Sequence, residues 1–143
     1  MSEQSAQLVV FALAGEQYAL PINRVQEIIR YTEPRSVPSA QYGVRGVLSL
    51  RGRIVPIYDL AARIGIHAEH GEDSKIVILE TNSEVVGVIV DAVEEVLTID
   101  EARIEAIPGA DTNTVDSITE IEGRLVVLLN PNILFQDLLA ARG

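Results

Sequence analysis

The sequence predicts an all-β protein made of two similar lobes, and two observations support this fold class. Short runs of β-branched and aromatic residues alternate with turn signals along most of the 143 residues, a pattern typical of barrels and sandwiches. The chain also resembles itself after a shift of about 70 residues, which is longer than the ~20–50 residues of solenoid repeats. A repeat of this length indicates two related lobes.

Four hairpins account for most of the predicted strands. Each joins two apolar runs by a short turn, and together they cover residues 8–22, 44–58, 75–90 and 117–129. Residues 25–29 have the apolar spacing of a helical or bent segment.

Two further segments carry helical signals. Residues 59–64 predict one helical turn, and Asn130 followed by Pro131 predicts the start of a C-terminal helix at 131–141, because proline is favoured at the first position of a helix.

The internal repeat is visible in two aligned stretches. At a shift of 68, residues 8–31 align with 76–99 without a gap, and at a shift of 71, residues 52–55 align with 123–126. Chance matching of apolar patterns between two all-β stretches is the alternative explanation.

The repeat predicts how the chain is organised. We expect a single domain at 7–140, with internal lobes at roughly 7–65 and 75–130. Lobes of this size are marginally stable alone, so they should share an apolar interface. The continuous apolar strands at 76–79 and 85–90 suit that interface, because both of their faces could be covered.

Composition excludes several functional classes. The chain has 11 Lys and Arg against 21 Asp and Glu, a formal net charge of −10, which argues against a nucleic-acid partner because phosphates attract cations. It has no cysteine, which excludes disulfides, thiolate nucleophiles and cysteine-based metal sites. No secretion signal and no bilayer-spanning apolar run is present. We therefore expect a soluble intracellular protein without direct membrane insertion.

The charge is unevenly distributed along the chain. Residues 1–65 carry a net charge of +2, and residues 66–143 carry −12. This difference suggests that the two halves face different partners. An acidic solvated surface is the simpler alternative.

Motifs that would indicate catalysis are missing. The sequence has no phosphate-binding glycine loop, dinucleotide fingerprint, nucleophile elbow or zinc-protease motif, so we expect neither an enzyme nor a cofactor. His67 and His70 lie among acidic residues and could bind a divalent ion. Gly65, Gly71 and the surrounding charges instead indicate a solvated connector, and no metal site is expected.

The strand at 44–51 is a candidate interaction surface. Its alternation places Val44, Leu48 and Leu50 on one face and Arg45, Val47, Ser49 and Arg51 on the other. Arginine mixed with apolar residues is typical of protein interfaces, although an ordinary polar outer face has the same pattern.

Glu27 and Arg51 are expected to form a salt bridge if the hairpin containing Arg51 packs beside residues 25–29. In the repeat, Glu27 aligns with Glu95, whereas Arg51 aligns with Glu122. The second lobe would then hold two like charges at the equivalent positions. A pair restricted to the first lobe suggests a functional role.

Three segments of the sequence resemble the CheW family of bacterial chemotaxis coupling proteins. They are GEQYALPINRVQEI at 15–28, GVRGVLSLRGRIVPIYDL at 43–60 and VVGVIVDAVEEVL at 85–97. The resemblance extends in order and spacing over about residues 7–139. The family usually has Asn at the position of Ser49, but Arg51 matches the arginine of the family pattern.

The resemblance implies both a fold and a role. The implied fold is two SH3-like five-stranded β-barrels with a short C-terminal helix. The implied role is a non-catalytic adaptor that couples transmembrane chemoreceptors to the CheA histidine kinase. Its partners would be the cytoplasmic tips of methyl-accepting receptors, the regulatory domain of CheA and other CheW copies. The adaptor would be cytoplasmic and recruited to membrane-associated receptor arrays.

The same resemblance implies site residues. Receptor contacts map to a groove near the lobe junction, at Ile22, Val25, Glu27, Gly46, Arg51 and Ile54. Gly46 matches a glycine where a side chain would intrude on the docked partner. Kinase contacts map to Arg45, Lys75 and Val77, although Lys75 stands where the family often has an apolar residue.

Two other functions stay open at the level of the sequence. The same fold occurs as a regulatory domain of the kinase and in fusions of CheW with a receiver domain. A pair of SH3-like lobes could also bind small ligands or peptides outside chemotaxis.

Overall fold

The computed structural model describes residues 4–38, 44–81, 84–107 and 115–135. Within them, eleven strands form: β1 (Ser5–Leu13), β2 (Glu16–Pro21), β3 (Val25–Arg30), β4 (Val44–Leu50), β5 (Arg53–Asp59), β6 (Lys75–Glu80), β7 (Val85–Val90), β8 (Ala92–Asp100), β9 (Glu105–Ala106), β10 (Val115–Ile121) and β11 (Arg124–Leu129). The helices are α1 (Leu60–Arg63) and α2 (Pro131–Leu134), with 3₁₀ turns at Ile22–Arg24 and Glu101–Arg103. The predicted all-β fold class is confirmed.

The strands form two mixed sheets. The first sheet has the order β8-β1-β2-β11-β10-β9, and the second has the order β3-β6-β7-β5-β4. One pair in each sheet is parallel, β2 with β11 and β5 with β7. We refer to the first sheet as the first barrel and to the second sheet as the second barrel.

The repeat seen in the sequence relates the two barrels residue by residue. Ile57 faces Gly87 across the parallel pair of the second barrel, and the equivalent residues Leu128 and Ala19 face each other in the first. Apart from the two-residue β9, both sheets therefore have the same strand order and the same register.

Each barrel takes strands from both halves of the chain, which corrects the expected lobes at 7–65 and 75–130. Strands β1 and β2 complete the barrel that contains β8 to β11, and β6 and β7 complete the barrel that contains β3 to β5. Apolar alternation predicts where strands form but not which strands pair. The composition of each barrel therefore depends on pairing between strands that are far apart in the chain, which the repeat alone does not reveal.

The two barrels share a central core, as expected. Side chains from β1, β2, β6 and β7 are fully buried in it, including Phe11, Leu13, Leu20, Val77, Leu79, Val88 and Val90. The opposite faces of the same strands fill the barrel interiors with Leu8 and Val10 in the first barrel and Ile76, Ile78 and Ile89 in the second. Burial on both faces explains the continuous apolar runs. Each fully buried side chain of this kind stabilises the folded state by about 1.5–3 kcal/mol.

Asp59 and Asn130, which align in the repeat, both cap short helices. The Asp59 Oδ1 atom accepts the Ala62 N–H at 3.3 Å, and the Asn130 Oδ1 atom accepts the Asn132 N–H at 2.9 Å. Side-chain acceptors of this kind satisfy the free N–H groups at a helix start. Both predicted helix starts are confirmed, whereas the rest of the helix predicted at 131–141 lies outside the described residues beyond Phe135.

Strands β3 and β4 depart from the predicted local pattern, and each contains an irregularity. Residues Val25–Arg30 form β3 rather than a helical or bent segment, and its register with β6 shifts between Val25 and Glu27. A similar shift between Val44 and Gly46 interrupts the alternation of β4. Burial along β3 nevertheless alternates strictly, and Ile28 lies on its exposed side, which explains why the apolar spacing at 25–29 was misleading.

Candidate docking surface

Glu27 and Arg51 form the predicted ion pair in a bidentate geometry. Arg51 Nε donates to Glu27 Oε2 and Arg51 Nη2 donates to Glu27 Oε1, each at 3.0 Å. Two parallel charge-assisted hydrogen bonds fix the guanidinium relative to the carboxylate. The Arg51 side chain is nevertheless 78% exposed, so its remaining N–H groups can donate to a partner.

The local backbone places these two side chains at the open edge of the second barrel. Glu27 follows the irregularity of β3, and Arg51 occupies the first position of the β4–β5 turn with a φ of 50°. Positive φ values at both central residues are typical of the tight turns that suit twisted hairpins. Because β3 and β4 stand at opposite ends of the strand order, the ion pair joins the two edges of this barrel.

Arg51 also changes the acidity of its partner. The hydrogen bond and the positive charge of Arg51 hold the pKa of Glu27 below its ordinary value. The same interaction raises the pKa of Arg51. Both groups are therefore charged at neutral pH, and the pair presents a fixed dipole at the surface.

The first barrel contains an equivalent ion pair, which corrects the expectation that the pair is restricted to one lobe. Glu95 accepts from Arg124 Nη2 at 3.3 Å. Glu95 is equivalent to Glu27, but the arginine stands two positions after Glu122, the equivalent of Arg51. The long Arg124 side chain extends from the start of β11 and reaches Glu95, the acid equivalent to Glu27. An ion pair to the equivalent acid is thus present in both barrels.

Ile54 is the most exposed large apolar side chain among the described residues. It lies three positions after Arg51 in the same hairpin and is 68% exposed. Ile22 and Val25 are only half-buried and lie where the chain crosses from the first barrel to the second. A groove of about 470 Å³ opens beside this crossing, lined by Gln7, Pro21, Ile22, Asn23 and Thr98. The exposed apolar side chain and the ion pair thus belong to the β4–β5 hairpin and to β3, whereas the groove lies at the crossing that precedes β3.

The family model of the CheW-like domain matches residues 7–139. The chain belongs to the CheW family. The chemotaxis protein CheW of Bacillus subtilis (strain 168) is 32% identical over 130 residues, which are 87% of this chain and 83% of that protein. The chemotaxis protein CheW of Rhizobium meliloti (strain 1021) is 32% identical over 134 residues, which are 90% of this chain and 86% of that protein.

A solved CheW structure agrees with both barrels. The crystal structure of the scaffolding protein TtCheW from Thermoanaerobacter tengcongensis matches with a TM-score of 0.86 and 35% identity, covering 93% of this chain and 94% of that chain. The resemblance to CheW that the three sequence segments predict is therefore confirmed, together with the fold that it implies.

Gly46 of this CheW-family chain is required by the packing of the chain itself. It is buried at a φ of 152°, and a Cβ atom there would lie 2.2 Å from the Arg35 carbonyl oxygen. Arg35 and Val47 form an isolated β-bridge that brings this backbone close. A side chain at position 46 would therefore strike the chain itself, which is by itself sufficient reason for a glycine at this position.

The structure contradicts one of the three predicted kinase contacts, Val77. Its side chain is fully buried in the core between the barrels, because β6 is a central strand that is covered on both faces. Lys75, at the start of the same strand, is partly exposed. The Arg45 side chain is 40% exposed and lies 3.6 Å from Asp59. These two residues stay accessible to a partner.

A buried histidine network was missed in the sequence, where His70 is predicted to lie in a solvated connector. The His70 side chain is only 2% exposed, with Nε2 at 3.3 Å from Asp59 Oδ1 and Nδ1 at 3.8 Å from Asp91 Oδ1. Asp91 also accepts the Ala14 N–H at 2.8 Å. His70 thus anchors the connector that joins α1 to β6 within the second barrel. Loop composition does not signal a long-range contact of this kind.

The described part of the chain contains neither a metal-binding cluster nor a membrane-spanning helix. Across these residues, no group of three or more histidine and acidic side chains is arranged to hold a metal ion. None of the helices there has both the length and the apolar character needed to cross a membrane.

Proposed function

We propose that this chain is a chemotaxis adaptor that couples chemoreceptor tips to the CheA histidine kinase. Membership of the CheW family supports the adaptor role, since the matched relatives are named as chemotaxis proteins and the solved relative as a scaffolding protein. In this proposal the chain performs no chemistry of its own. It transmits a signal by holding two partners in a defined relation beneath the membrane.

The receptor contact is proposed at Ile22, Val25, Glu27, Arg51 and Ile54. Receptor tips are helical hairpins in the family, and a helix binds a groove through an apolar stripe. The observation that carries the proposal is the 68% exposure of Ile54 in the hairpin that positions the Glu27–Arg51 pair. The isoleucine would supply apolar contact, and the fixed ion pair would set the register of the docked helix.

The kinase contact is proposed at Arg45 and Lys75. Arg45 lies at the start of β4 and Lys75 at the start of β6, so the two cations belong to strands of the second barrel. They could pair with acidic residues on the regulatory domain of CheA. A kinase contact at Arg45 and Lys75, away from the receptor contact at Ile54, would allow both partners to bind at the same time.

Binding measurements with purified partners test the receptor contact. The wild-type chain should bind both a cytoplasmic receptor fragment and the CheA regulatory domain. Ile54→Asp should weaken receptor binding about tenfold or more, because a charge replaces a central apolar contact. Arg51→Ala should weaken it as well.

Equivalent positions in the first barrel provide matched controls. Leu125→Asp changes the residue that aligns with Ile54, and Arg124→Ala breaks the equivalent ion pair. Both controls should leave receptor affinity unchanged. Equal losses for Ile54→Asp and Leu125→Asp would contradict the proposed site, and failure of the wild-type chain to bind either partner would contradict the adaptor role.

A further inference from the structure

Leu125 lies at the rim of a groove on the first barrel, which we call the Leu125 groove. The groove has a volume of about 570 Å³ and is lined by Ala12, Glu16, Gln17, Glu94, Arg124 and Leu125. The leucine is 64% exposed. A single exposed leucine on a flat surface is unremarkable, but this one borders a concave site large enough for a side chain of a partner.

One of the residues that line the Leu125 groove, Ala12, has a small side chain. Ala12 pairs with Gln17 across the β1–β2 hairpin, and the Gln17 side-chain amide donates to Glu94 on β8. In the second barrel, Glu80 stands at the position equivalent to Ala12 and accepts from Gln26, the equivalent of Glu94. The two barrels thus have the same strand arrangement here but differ in the side chains at this end.

The charge at this end also differs between the barrels. In and beside the Leu125 groove the sequence places four glutamates and one arginine, at positions 16, 94, 95, 122 and 124. The equivalent positions of the second barrel hold two glutamates, two arginines and one glutamine, at 84, 27, 51, 53 and 26. Arg124 is already engaged by Glu95. The rim of the Leu125 groove is therefore net acidic around an apolar contact.

We propose that the Leu125 groove docks a partner segment in which an aliphatic side chain stands beside lysine or arginine. The aliphatic group would cover Leu125 and Ala12, and the cation would pair with Glu16 and Glu94. Apolar burial supplies most of the affinity in such contacts, and complementary charge supplies the orientation. The proposal does not rest on the receptor contact, which lies on the second barrel and its crossing from the first.

Short synthetic peptides on the full chain test this proposal by fluorescence anisotropy. The first probe alternates leucine with lysine, the second replaces lysine with glutamate, and the third replaces leucine with serine. Only the leucine–lysine peptide should bind well. Leu125→Asp and Glu94→Lys should each weaken its affinity about tenfold or more, and amide shifts should map to Ala12, Gln17 and Leu125.

Matched variants separate this site from general attraction to an acidic protein. Glu69→Lys makes the same charge change as Glu94→Lys in the exposed connector and should leave binding unchanged, as should Ile54→Asp. Equal binding of the serine–lysine peptide, or equal losses for Glu69→Lys and Glu94→Lys, would overturn the proposal. Receptor binding is measured separately, so failure here is distinguishable from failure of the adaptor role.

Discussion

Arg51 and Glu122 occupy equivalent positions in two β-turns and share one backbone conformation, with φ values of 50° and 51°. Their opposite charges have different consequences. Arg51 reaches back to Glu27, whereas in the first barrel Arg124 takes over the contact with the equivalent acid. The turn conformation is thus common to both barrels, and the chemistry that each turn presents to solvent is free to differ.

The turn at Glu122 should be stabilised by a residue that prefers positive φ. We expect Glu122→Asn to raise the free energy of unfolding by about 0.5–1 kcal/mol, because an Asn-Gly pair suits a two-residue hairpin turn and Glu does not. Urea denaturation checks this value. Glu120→Asn removes the same charge from strand β10, where Asn is disfavoured, and should give no gain. A gain for both variants would point to charge removal instead.

The acidity of Glu27 should depend on Arg51. Its pKa lies below the ordinary value of 4.5 because Arg51 stabilises the carboxylate. The pair therefore contributes stability above that ordinary value and loses it as the pH falls through the lowered pKa. Arg51→Ala should return the pKa of Glu27 towards 4.5, as measured by carboxyl NMR titration. Arg124→Ala should not move it, and an unchanged pKa in Arg51→Ala would show that the pair does not persist in solution.

Gly46 should be intolerant of any side chain. Gly46→Ala places a Cβ atom 2.2 Å from the Arg35 carbonyl oxygen, and we expect a loss of about 2 kcal/mol or more in the free energy of unfolding. Gly71→Ala is the matched control, because no atom lies within 4 Å of a Cβ atom built there. Thermal denaturation of both variants compares them directly. Similar melting temperatures would contradict the close approach of the β-bridge at Arg35.

Gly87 and Ile57 should be energetically coupled. A Cβ atom at position 87 would lie 2.6 Å from the Ile57 Cδ1 atom, so Gly87→Ala should cost about 1–3 kcal/mol through overpacking. Ile57→Val removes that methyl group and should cost about 0.5–1.5 kcal/mol alone. The double variant should lose about 1 kcal/mol less than the sum, as measured by urea denaturation in a double-mutant cycle. Simple additivity would argue against their contact.

The local elements of this fold could be predicted from the sequence, and so could the family. The hairpins follow from alternation and turn residues, and the caps at Asp59 and Asn130 follow from side-chain chemistry. The Glu27–Arg51 pair was predictable because the two residues have opposite charges and because the family segments assign both to the same contact surface. These features depend on residues close together in the chain or on a motif read directly.

Features that depend on distant pairing could not be predicted. The burial of Val77 follows from the position of β6 at the centre of a sheet, and the clash at Gly46 follows from a bridge to Arg35. The Glu95–Arg124 pair was missed because a strict alignment compares positions, whereas a long side chain can reach the same partner from two positions away. The burial of His70 is not predictable because nothing near it in sequence indicates its contacts with Asp59 and Asp91.

Because the two halves of the chain exchange strands, the molecule resembles a strand-swapped dimer whose two subunits are joined in one polypeptide. Each half donates its leading hairpin to the other and receives one in return. A cut in the connector at 65–74 would leave two fragments that are still interlocked through ladder hydrogen bonds on both sides. A force applied to either barrel therefore acts on strands from both halves of the chain.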